Sequence, residues 1–220
     1  MEQFLAYNQI LVQVYRLLVA ASAIYALHTF PKGGTPFKLF RLFLLTGAAI
    51  ELAGILGVQR TGSNAWVYLC GAILSFLIIA LYYWFLSPML RRGYVLLLWM
   101  MVGIVIGSCS LAMATDLSIA TMRYLLFMGL SIAVLAMVFL YDSISKEELV
   151  LTTDAHPWIS LLLLLNWMAL LCCFGILQVC VQYAPERIPL ISSGILIVNI
   201  VYYTCALLIL HKFVKQEAHE

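Results

Sequence analysis

The chain has 220 residues, of which 65% are hydrophobic and 10% charged, with a formal net charge of +2 and a mean hydropathy of +1.04. Soluble domains carry about 25% charged residues, so composition excludes an ordinary soluble fold. No dense basic cluster occurs, and nothing in the charge points to nucleic acid as a partner.

A helix crossing a bilayer needs about 20 predominantly apolar residues. The sequence supplies seven such stretches, at about 6–27, 37–58, 65–86, 94–114, 122–141, 158–181 and 190–210. They predict an all-α membrane protein, a seven-transmembrane-helix bundle forming one domain. The first stretch is not a cleavable signal peptide, because it lacks a basic n-region, contains Gln9, Gln13 and Arg16, and leads straight into a second span. Pro31-Lys32-Gly33-Gly34, Gln59 to Asn64, Ser87-Pro88 and Tyr183 to Pro189 are short breaks. The longest connection is Asp142 to Pro157. No span has an interior proline, and no convincing internal repeat is visible, although three helices, a connector and three more would suit a small carrier. No soluble domain is expected at either end, so any output would pass through the helices or to a partner.

Cations set the expected orientation. Lys32, Lys38, Arg41, Arg91, Arg92, Lys146, Lys212 and Lys215 fall on one side, against Arg60, Arg123 and Arg187 on the other. The first side should be cytoplasmic, with the N-terminus outside and the C-terminus inside. In the fourth span Gly103, Gly107, Ser110 and Ala114 share one face and read as a packing seam within the monomer. Trp66, Tyr82, Tyr83, Trp84, Tyr94 and Tyr124 lie near predicted span ends and read as interfacial aromatics. The six cysteines sit in apolar runs without CxxC spacing and read as packing residues.

Glu51 is the one acid inside an apolar run. Its insertion cost, about 2.5–3.5 kcal/mol, marks it as paired or functional. Gly47, Ala48 and Gly54 share its face, which opens a groove for a neighbouring helix. In the first span Gln9, Gln13 and Arg16 form a polar stripe with Asn8 beside it, expected to face the bundle interior. Arg16 and Glu51 are expected to touch, either as a structural ion pair or as part of a ligand or proton-linked site. Asn64, Tyr68, Trp99, Asn166 with Trp167, Asn199 and Tyr203 are further candidates to line one small polar pocket opening outward.

No lysine in the last span could carry retinal, and no histidine lies deep enough to ligate haem. His28, His156 and His211 sit at span ends without a metal-binding spacing. No nucleophile elbow, paired-aspartate motif or phosphate loop is present, so neither a metal, a cofactor nor a catalytic role is expected.

Four motifs occur in order: E-x-x-G at Glu51 to Gly54, N-x-W-x-Y at Asn64 to Tyr68, an aromatic–acid span end with a K-E-E loop at Tyr141 to Glu148, and H-P-W-I at His156 to Ile159. With them the chain resembles a family of uncharacterised seven-span bacterial inner-membrane proteins often encoded beside sensor histidine kinases. It departs from that pattern around Ser75, where similar proteins tend to carry a second acid or amide. The resemblance implies a sensing or accessory signalling protein with a membrane-bound partner such as a histidine kinase, and it supplies no catalytic residues. The expected function is a receptor-like module holding a small ligand or lipid in the bundle. A small transporter or channel, or a structural subunit of a membrane assembly, are the alternatives.

Overall fold

The computed structural model describes residues 2–61, 63–92, 94–113, 116–145 and 154–217. The described residues form α1 (Glu2–Thr29), α2 (Thr35–Thr61), α3 (Ala65–Leu86), the short α4 (Pro88–Arg92), α5 (Val95–Met113), α6 (Leu117–Ser145), α7 (His156–Tyr183) and α8 (Ile188–Glu217), with a 3-10 turn at Pro185–Arg187. Seven of these helices are long and apolar enough to cross a membrane, and no strand occurs among the described residues. The protein is an all-α, multi-pass membrane bundle.

Local chemistry explains the breaks. Gly33 takes φ 80° in the turn after α1, a conformation that costs glycine nothing. Ser87 offers its hydroxyl to the Leu90 amide at 3.5 Å where Pro88 opens α4. Asp116 accepts from the Ser118 and Ile119 amides at 2.8 and 3.3 Å and so starts α6. Asp154 does the same for the His156 amide at 2.9 Å before α7. Several helices outrun their predicted spans. At 29 residues α6 is roughly 43 Å long, against a hydrocarbon core of about 30 Å. Hydropathy reports only the part in hydrocarbon, whereas the backbone ladder continues into the interface. The Asp142 to Pro157 connection therefore shortens from its first end, and its residues 146–153 lie outside the described residues. Ala114 of the small-residue seam also lies outside them.

Helix neighbours run α1, α2, α3, α6, α7, α8 and back to α1, closing a ring of six spans. Helix α5 stands outside this ring, packed on α3 and α6. Its seam faces those two helices within the monomer. Gly103 and Gly107 are buried, and the Tyr124 hydroxyl donates to the Gly103 carbonyl at 3.3 Å. A Cβ on Gly103 would lie 2.2 Å from the Phe76 ring, and one on Gly107 would lie 2.6 Å from Ile73. Most of the remaining α5 surface, including Leu98, Met101 and Val105, is exposed to the membrane side.

Two expectations need correction. Tyr82, Tyr83 and Tyr124 are buried in the core and are not interfacial, although Trp66 and Tyr94 are exposed. Tyr82 and Tyr83 sit on α3, which has neighbours on most sides, so nearness to a span end does not expose them. Arg41, counted above among the cations of one side, is fully buried in the second turn of α2. Its guanidinium donates to the Lys32 carbonyl and lies 5.3 Å from the centre of the Phe37 ring. The same end of the bundle holds a Tyr82–His156 hydrogen bond of 3.1 Å, with Phe37 5.0 Å from the His156 ring.

Candidate functional site

Glu51 lies ten residues, roughly 15 Å, from the α2 terminus at Thr61, and so within the hydrocarbon depth. Two tyrosines hold its carboxylate. Tyr15 of α1 donates to Oε1 at 2.8 Å, and Tyr68 of α3 donates to Oε2 at 3.3 Å. Each carboxyl oxygen thus has one tyrosine hydroxyl within hydrogen-bond distance. The small residues around Glu51 serve these and other aromatic side chains. A Cβ on Gly54 would meet the Tyr68 ring at 3.2 Å, and one on Gly47 would meet the Tyr203 hydroxyl at 2.8 Å. The groove beside the acid therefore admits tyrosines from α3 and α8 rather than a bare helix backbone.

A cavity of about 150 Å³ opens at this point inside the ring. Of the residues expected to line a pocket, Glu51, Tyr68, Asn166, Trp167, Asn199 and Tyr203 do so. Each of the six ring helices contributes lining, and α5 contributes none. Tyr15, Ser75 and Tyr202 complete the polar part of the wall. Tyr15 and Tyr203 meet edge to face at 5.9 Å, and Tyr202 and Tyr203 at 5.1 Å. Three residues of this wall carry a buried polar atom with no hydrogen-bond partner: Asn166 Oδ1, Trp167 Nε1 and the Tyr202 hydroxyl.

The chain matches no protein family, no curated protein and no solved structure. The site's own geometry is therefore the basis for any functional reading.

The remaining candidates lie elsewhere. Gln9, Gln13 and Arg16 are exposed and line a separate open groove along α1. Asn8 lines that groove too and also meets α8, where Ser193 donates to its Oδ1 at 3.3 Å. Asn64 precedes α3 and receives the Tyr68 amide on its backbone carbonyl, with no side-chain cap. Trp99 is exposed on α5, 5.6 Å from the Phe127 ring. The expected contact between Arg16 and Glu51 is absent: among the described residues Glu51 is bonded to tyrosines and forms no ion pair. Helix phase is the reason. The inward face of α1 runs through Tyr15, Val19, Ser22, Ala26 and Thr29, which leaves Arg16 outside the α1–α2 contact. The signal was present as that run of small and apolar residues, spaced i, i+4, i+7, i+11 and i+14. Arg16 lies eight residues inside the span that starts at Asn8, near enough for its long side chain to snorkel toward the interface. Arg16→Leu is accordingly expected to change the unfolding free energy in detergent by about 0.5 kcal/mol or less. A loss of about 3 kcal/mol would reinstate a buried pair.

Proposed function

We propose that the protein is a receptor-like sensing module of a bacterial inner membrane, with its N-terminus outside and its C-terminus in the cytoplasm. In this reading a small polar ligand enters the Glu51 cavity and shifts the packing of α1 against α2. A membrane-bound signalling partner such as a histidine kinase reads the shift, with the connection between α6 and α7 as the contact. The observation that carries the reading is an acid inside the spans, Glu51, held by two tyrosines on the wall of a cavity that all six ring helices line. Its volume of about 150 Å³ suits a ligand of benzene's size and not an acyl chain. Coupling requires the ligand to prefer one of two packings.

A thermal-shift screen of small polar compounds tests the binding step. Ala72, buried on the cavity wall, supplies the control. The expected result is a compound that stabilises the native protein and leaves Ala72→Leu unaffected. No stabilising compound, or equal effects on both proteins, would contradict the reading.

Transport through the same interior is the second reading, and one observation favours it. Helices α1–α3 and α6–α8 follow one another around the ring in the same order, with α5 outside as a connector. Two helix triplets joined by a connector would suit a carrier whose site lies between the halves. Against it, the seven spans are continuous helices, with no broken segment at the cavity. Proteoliposomes separate the two: a sensor binds the compound without moving it into sealed vesicles, and a carrier accumulates it.

The orientation has its own test. Cysteines placed at Thr61 and Glu186 are expected to react with an impermeant label from outside, and those at Arg91 and Ser145 are not. The reverse pattern would invert the topology.

A further inference from the structure

We infer that the open groove along α1, a site separate from the Glu51 cavity, holds the headgroup of an anionic phospholipid with a phosphodiester and no amine. Helix α1 packs on α2 and α8 and leaves its remaining side to the membrane. On that side Gln9, Gln13 and Arg16 are exposed and line one groove of about 800 Å³. Exposed Ile10, Val14 and Leu17 line it too, so polar and apolar surface run side by side. That volume falls in the range of about 300–1,000 Å³ found for organic ligands and exceeds what a bare phosphate fills.

Helix geometry brings the polar groups together. Residues three and four apart are neighbours on a helix surface, so Gln13 lies between Gln9 and Arg16. Side chains lean toward the helix N-terminus, which carries the Arg16 guanidinium toward Gln13 and the near membrane boundary. Arg16 starts eight residues, roughly 12 Å, inside the span that begins at Asn8. From there its side chain snorkels, and local thinning of the bilayer brings a phosphate down to it. A guanidinium presents a planar fork of donors that matches two phosphate oxygens, and the carboxamides add N–H donors beside it.

Charge decides the headgroup. Among the described residues that line the groove, Arg16 is the charged one, and none is an acid. An ammonium headgroup would meet no carboxylate there, whereas a glycerol headgroup can bond the carboxamide oxygens. A second copy of the chain seated here about a two-fold axis would bring Arg16 toward its own counterpart, which like charges oppose.

Native mass spectrometry of the full chain in detergent, with phosphatidylglycerol and phosphatidylethanolamine of matched acyl chains, tests the site. The first phosphatidylglycerol is expected to bind about fivefold tighter than the first phosphatidylethanolamine. Arg16→Leu, which is expected to cost little stability, should remove that preference. Gln13→Leu should weaken phosphatidylglycerol by about twofold to threefold. Arg123 is the matched control, exposed on α6 six residues inside its own span, and α6 is not a neighbour of α1 around the ring. Arg123→Leu should leave the preference in place. Equal binding of the two lipids, or equal losses for Arg16→Leu and Arg123→Leu, would overturn the site and leave only a general attraction of cations for lipid. Excess inorganic phosphate is expected not to displace the lipid, and displacement would assign the groove to a free anion instead. A species of twice the mass that Arg16→Leu abolishes would make this face a contact between copies and overturn the lipid assignment.

Discussion

Replacing Gly103 with leucine is expected to cost about 3 kcal/mol or more of stability in detergent, by unseating α5 from the ring. Overpacking usually costs about 1–3 kcal/mol because neighbours give way. Here the first added carbon would already lie 2.2 Å from Phe76, a fully buried ring on α3 with Phe127 5.7 Å away on its other flank. The same shift would break the Tyr124 bond to the Gly103 carbonyl. Gly107→Leu should act in the same direction against Ile73. Gly175 is the matched control, since a Cβ there meets nothing within 4 Å. Gly175→Ala should raise stability by about 0.5–1 kcal/mol through helix propensity alone. Chemical unfolding of the three proteins checks the set, and equal stabilities for Gly103→Leu and Gly175→Ala would mean that the seam faces lipid. Because α5 does not line the cavity, ligand binding in any Gly103→Leu protein that folds should be retained.

Tyr15→Phe is expected to cost about 1–3 kcal/mol, the range for leaving a buried hydrogen-bonding group without its partner. Its 2.8 Å bond is the shorter of the two that Glu51 accepts, and the remaining donor, Tyr68, stands at 3.3 Å. Losing the first leaves a carboxylate underserved inside the membrane. Glu51→Gln replaces the acid that the donor serves, so the double variant should cost less than the two singles combined. A coupling energy of about 1 kcal/mol or more is expected from that cycle. Additive losses would mean that Tyr15 contributes only its ring, through the edge contact with Tyr203.

The spans were legible because the bilayer imposes one strong rule: every backbone polar group must be satisfied inside the segment. Glu51 stood out for the same reason, and Tyr68, Asn166, Asn199 and Tyr203 were readable as polar groups placed at matching depth. What failed was phase and neighbourhood. On α1 the polar stripe was taken for the inward face, yet the α2 contact falls one residue earlier, at Tyr15. A polar stripe near the outer end of a span need not be buried, because glutamine and arginine there reach the headgroup region. Tyr202 was missed since nothing in its sequence separates it from Tyr203, while the ring places both on the cavity wall. The order of helices around the ring, and the exclusion of α5 from it, depend on side-chain fit such as Phe76 against Gly103. No periodicity in a single helix encodes such a fit.

The most direct measurement is an experimental density map of the protein extracted gently from its own membrane, at a resolution that shows small molecules. The account predicts compact, non-protein density inside the ring, in the cavity beside Glu51. A cavity collapsed onto itself, or Glu51 turned away to pair with Arg16, would contradict it.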